Sequence, residues 1–231
     1  MNRLVADGHV EAKGIKIQDS PGFPLALRSA ARIISYVFHP LFIPVYVTWL
    51  LVRVQFYVFS GFDEWNKTVV LIQSFVWYTF FPLVSTLLLR KLDFISSIQL
   101  KTQRDRIIPY IICGIFYFWG WYVSHNLPEY PHEIVSFELA IFLASSIGLM
   151  ANIYMKISMH TIAVGLMATF VMMLGLSSAV SFGLFISIVL LVTGLVGTAR
   201  MIVSDHTQTE IYAGLFVGIV SQLIAYLFSS W

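Results

Sequence analysis

Three short polar clusters interrupt an otherwise apolar chain, and each carries groups suited to phosphate. The first runs from Lys101 to Pro109 and holds Arg104 and Arg106; the second joins Lys156, Ser158 and His160; the third runs from Arg200 through His206 to Glu210. Guanidinium and ammonium groups neutralise the oxygens of a phosphoryl group, and an imidazole can attack phosphorus or pass a proton. His206 and Glu210 are four residues apart, so on a helix beginning near 205 they share a face, with the carboxylate holding one ring nitrogen and leaving the other free. His160 opens a helix, where unpaired backbone N–H groups favour an anion, and Ser158 adds a hydroxyl. The chemistry these residue types imply is phosphoryl transfer, with His206 as nucleophile, Glu210 as its orienting group and His160 as the general acid.

The elements that must position these residues are membrane helices. Of 231 residues, 58% are hydrophobic and only 11% charged, against about 25% charged in an ordinary soluble domain. A spanning helix needs about 20 apolar residues to cross a hydrocarbon core of about 30 Å. Apolar runs of that length fall at about 33–52, 68–89, 107–124, 135–154, 160–177, 180–198 and 209–229, which predicts an all-α bundle of about seven spans. Gly175, Ser177, Ser178 and Gly183 divide the stretch from 160 to 198 into a helical hairpin. His39-Pro40 and Pro44 predict a kink in the first helix. The segment before residue 33 is polar and lacks the apolar core of a signal peptide, so 1–32 is expected to be a solvent-exposed tail ahead of a transmembrane domain over 33–231.

Counting crossings brings the clusters together. Two predicted spans separate the first from the second and two more separate the second from the third, and an even number of crossings returns the chain to the same membrane face. Basic residues agree: Arg3, Lys13, Lys16, Arg28, Arg32, Arg90, Lys91, Lys101, Arg104, Arg106, Lys156 and Arg200 fall on that side, and only Arg53 and Lys67 on the other. The positive-inside rule then puts the N-terminus in the cytoplasm. Removing Lys101, Arg104, Arg106 and Arg200, which an anionic substrate would also retain, leaves the bias unchanged in sign. A net charge of +2 is too small to indicate nucleic acid. The single cysteine, Cys113, offers neither a disulfide framework nor a cysteine metal site.

The spacing from Arg200 to His206 to Glu210 resembles the third signature of the type-2 phosphatidate phosphatase superfamily of integral membrane lipid phosphatases, Ser-Arg-x5-His-x3-Asp. Ile157, Ser158, Met159 and His160 resemble its second, Pro-Ser-Gly-His, and Lys101 with Pro109 keeps the spacing of its first, Lys-x6-Arg-Pro. The likeness covers a core from about 101 to 231. It implies a phosphohistidine at His206 oriented by Glu210, proton delivery by His160, and phosphate binding by Arg200, Ser158 and Lys101; Arg106 matches no signature position and is offered as a nearby substitute for the arginine that Ile108 replaces. No metal or other cofactor is implied. The substrate class that the resemblance implies is a phosphomonoester or diphosphate on an isoprenoid or glycerolipid, and the expected location is a bacterial inner membrane. This sequence departs from the pattern at Ile108 for arginine, Ile157 for proline, Met159 for glycine, Ala199 for serine and Glu210 for aspartate.

Other polar residues are assigned less. His39 is expected to bond backbone carbonyls at the proline kink, and Glu138 to reach water near a helix end. His9, His125 and His132 carry no partner pattern. The rival class is non-enzymatic: a relative that binds or transports lipid phosphate without turnover, or a structural subunit.

Overall fold

The computed structural model describes residues 23–55, 57–100, 102–178, 181–203 and 206–229. Among them every regular element is helical: α1 (Leu25–Val37), α2 (Ile43–Trp49), α3 (Glu64–Phe75), α4 (Phe81–Lys91), α5 (Gln103–His125), α6 (His132–Tyr154), α7 (Met159–Ser177), α8 (Gly183–Val203) and α9 (Gln208–Ser229). A π-helical turn, Leu50–Val54, extends α2, and another, Val76–Phe80, fuses α3 and α4 into one rod, Glu64–Lys91. That rod and α5 to α9 make six helices long and apolar enough to cross a membrane, and the chain is an integral membrane protein.

The predicted first span is corrected. The chain breaks at His39 and Pro40, where the Pro40 ring removes a donor and disfavours helix in the residue before it, so α1 stops at Val37 and α2 starts at Ile43. Helix also begins earlier than the expected tail boundary. α1 starts at Leu25 and packs along α8, with Ala31 buried; residues 1–22 of the tail lie outside the described residues.

Helix starts that hydropathy placed a few residues late are set by caps. Asp63 accepts from the Asn66 N–H at 2.6 Å to begin α3, and Thr102 accepts from the Asp105 N–H at 3.1 Å to begin α5. At one end of the bundle Tyr57 donates to Ser178, His132 contacts the Ser229 carbonyl, and Tyr130 donates to Gln73. That end gathers the loop after α2 and those joining α5 to α6 and α7 to α8. The starts of α5, α7 and α9 are therefore at the other end, as the even count of crossings requires.

The tightest seam is between α7 and α9. A Cβ added to Gly214 would stand 2.8 Å from the Ser158 carbonyl oxygen, and one on Gly218 would stand 2.2 Å from the Ile162 carbonyl oxygen. On α7, a Cβ at Gly165 would meet the Leu215 carbonyl oxygen at 2.7 Å. Small residues spaced four apart let membrane helix backbones approach this closely, and the contact sets α7 and α9 side by side from their first turns onward.

Candidate functional site

Thr207 and Glu210 build the first turn of α9 as a capping box. The Thr207 N–H donates to Glu210 Oε2 at 2.9 Å, and the Glu210 N–H donates to Thr207 Oγ1 at 3.3 Å. The same Oε2 lies 3.1 Å from His206 Nδ1. Glu210 thus has two partners, only one of which is the imidazole.

Arg106 closes on the other ring nitrogen. Its Nη2 is 3.5 Å from His206 Nε2, its Nη1 donates to the Ile157 carbonyl at 2.6 Å, and its Nε donates to the Leu100 carbonyl at 2.9 Å. A carboxylate can only accept and a guanidinium can only donate. The ring therefore carries its proton on Nδ1, toward Glu210, and turns the Nε2 lone pair toward Arg106. Burial, reinforced by Arg106 and Arg200 and opposed by Glu210, lowers the His206 pKa to about 4. The ring is neutral at pH 7, and its contact with Glu210 is a hydrogen bond to a carboxylate.

Arg106 is itself held by the loop before α5. Asp105 accepts from both the N–H and the hydroxyl of Ser96, at 2.9 and 2.6 Å, which folds that loop onto the helix start. Leu100, whose carbonyl takes the Arg106 Nε–H, has φ of 49°, a left-handed conformation that costs a leucine about 1–3 kcal/mol. Gln103 and Asn152 exchange side-chain to backbone bonds at 2.9 Å in each direction, tying the start of α5 to the end of α6.

At the start of α7, the Ser158 N–H donates to the Glu210 carbonyl at 3.3 Å. The Ser158 hydroxyl accepts from the Thr161 N–H and the residue is 0% exposed, so it serves as the helix cap where a hydroxyl facing phosphate was expected. His160 is half-buried and its Nε2–H donates to the Ser35 carbonyl at 3.1 Å. Its ring stands edge-on to His39, with centroids 5.3 Å apart. Arg200, in the last turn of α8, lies within electrostatic reach of His39, His160 and His206.

The structure thus brings together Arg106, Ser158, His160, Arg200, His206 and Glu210. Lys101 lies outside the described residues, and Arg104 is exposed. His39 is a correction: it accepts the Leu41 N–H on Nδ1 at 3.3 Å and packs against His160, instead of bonding carbonyls. Its signal in the sequence was the expense of a polar ring within an apolar run. Glu138 is also corrected. It is 6% exposed and sits beside Tyr78 and Ser124, away from water.

Comparison with protein families, with curated proteins and with solved structures returned no match for this chain.

Proposed function

We propose that this end of the bundle is the active site of a metal-independent lipid phosphatase acting on a phosphomonoester or diphosphate of an isoprenoid or glycerolipid. The observation that supports it most is the fixed tautomer of His206: a buried, neutral imidazole with a carboxylate behind Nδ1 and a guanidinium at the nucleophilic Nε2. In the proposed first step, Nε2 attacks phosphorus while the bond from phosphorus to the leaving oxygen breaks. Arg106 and Arg200 take up the charge on the phosphoryl oxygens, and His160, entering as the imidazolium with its Nε2–H on the Ser35 carbonyl, gives its Nδ1 proton to the leaving oxygen and becomes neutral. Water then attacks the phosphohistidine, returns a proton to His160 and releases inorganic phosphate. Glu210 stabilises the positive charge that Nε2 attack puts on the ring.

The same proposal places the protein in a bacterial inner membrane with its N-terminus cytoplasmic, supported by the cations gathered at the end that bears the cluster. Protein purified in detergent is expected to release phosphate from polyprenyl diphosphate or phosphatidate in EDTA, to form an acid-labile phosphoenzyme, and to lose both with His206→Ala while keeping its elution profile. Release that is indifferent to His206→Ala would remove the mechanism. Loss of release in EDTA would point instead to a metal-dependent enzyme.

A second reading, a lipid-phosphate-binding or transport protein without turnover, is favoured by one observation. His206 has 3% of its side chain exposed and its Nε2 already faces Arg106. Tight binding of lipid phosphate with no phosphoenzyme would select it.

A further inference from the structure

An apolar groove of about 410 Å³ lies between α1 and α8. Ala31 and Ile34 form one wall, and the other extends from Leu190 past Gly194 to Ala199 and Ile202. On each wall one lining residue is followed in the chain by a residue of the cluster. Ile34 precedes Ser35, whose carbonyl takes the His160 proton; Ala199 precedes Arg200, which acts on His160 and His206. Leu190 to Ile202 spans about 18 Å of helix axis, close to the ~15 Å depth of one leaflet of hydrocarbon. The volume is near the lower end of the ~300–1,000 Å³ range of small-molecule sites, which suits one chain better than two.

We infer that this groove holds a single hydrocarbon tail of an amphiphile whose anionic phosphate head lies at Arg106, Arg200 and His206. The inference rests on the proposed function for the head group but concerns the tail. Cations near one end and an apolar wall along the other match a molecule with both parts, whereas a soluble phosphate would leave the groove empty and a neutral lipid would bring no anion to the cations. Gly194 is the place to test it, because a Cβ there meets nothing within 4 Å and a larger side chain enters the groove without striking backbone.

The probe is dodecyl phosphate carrying a diazirine at the tail end, photolysed with the full-length protein in detergent and mapped by peptide mass spectrometry. Adducts are expected on α1 and α8 near Leu27 and Leu191, at least tenfold fewer with Gly194→Phe and with Thr198→Trp, and tenfold fewer with the matching dodecanol probe. Adducts spread over other helices, adducts untouched by both substitutions, or equal labelling by the alcohol would overturn the inference. Turnover separates the two proposals. If dodecyl phosphate labels the groove as expected but neither it nor p-nitrophenyl phosphate is hydrolysed, the tail site stands and the phosphatase reading falls. If both are hydrolysed, the ratio of their kcat/KM values should fall at least tenfold in Gly194→Phe, and an unchanged ratio would sink the tail site alone.

Discussion

His206 is gripped at both ring nitrogens, so its two partners can be taken away one at a time. Glu210→Gln retains an acceptor for the Thr207 N–H but loses the negative charge behind the imidazole. Turnover is expected to drop by roughly 10²-fold or more with little change in thermal stability, whereas Glu210→Ala also loses the cap, worth about 1 kcal/mol. Turnover unchanged in Glu210→Gln but stability lost in Glu210→Ala would show that Glu210 is only a cap. Arg106→Lys cannot reach the Leu100 and Ile157 carbonyls and His206 with one planar fork; it should cost roughly 10²-fold in kcat/KM, while Arg104→Ala, on an exposed side chain, should cost little. The pH profile provides a further check. Because the folded imidazole titrates near pH 4 and an unfolded one near 6.5, the unfolded chain binds more protons between these values. Stability should therefore fall as pH drops through that window, and the contribution should vanish in His206→Gln. For the same reason the acid limb of kcat/KM should lie well below pH 6.5, and a limb centred at 6.5 would contradict the buried ring. The His206 to Glu210 pairing was legible because i,i+4 spacing on a helix is a local rule. That Arg106 fills the place beside the imidazole was not, since its reach depends on a folded loop and on the carbonyls of Leu100 and Ile157. The capping box at Thr207 and Glu210 was written in the sequence but hidden by the more conspicuous histidine.

At the scale of elements, the seam between α7 and α9 decides whether the second and third clusters touch. Gly214→Val would drive a side chain into the Thr161 hydroxyl and the Ser158 carbonyl, contacts of 2.1 and 2.8 Å for a Cβ alone. It should destabilise by about 1–3 kcal/mol and separate His160 from His206. Gly183→Ala, where a Cβ meets nothing within 4 Å, should leave the melting temperature in detergent unchanged. Equal melting temperatures for the two would mean that the seam is looser than it looks. Hydropathy located the six long helices to within about five residues at each end because burying backbone polar groups in lipid permits little else; the largest miss is the end of α8, which runs on through Arg200 to Val203. It misread the first span, where an apolar run of adequate length conceals a break at Pro40. The Gly214 to Gly218 spacing was equally visible, but only the observed approach of α7 gives it meaning.

For the whole molecule, the even count of crossings becomes a test of sidedness. In a Cys113→Ser background, single cysteines at Ser97 and Met155 should label from the same side of sealed vesicles, and cysteines at Gly61 and Glu129 from the opposite side. Labelling of Ser97 and Gly61 from one side would break the topology on which the site depends. The first pass has a consequence of its own. From Ile43 to Val54 it is helical over only twelve residues, about 18 Å, far less than the ~30 Å of a hydrocarbon core. The neighbouring Glu64–Lys91 rod has 28 residues. Lipid beside the His39 break is therefore expected to thin locally toward the protein, in a dimple that brings head groups closer to the imidazoles. Hydrophobic mismatch costs fractions of a kcal/mol per Å, so thick, sterol-stiffened membranes should resist the dimple and thin ones accept it.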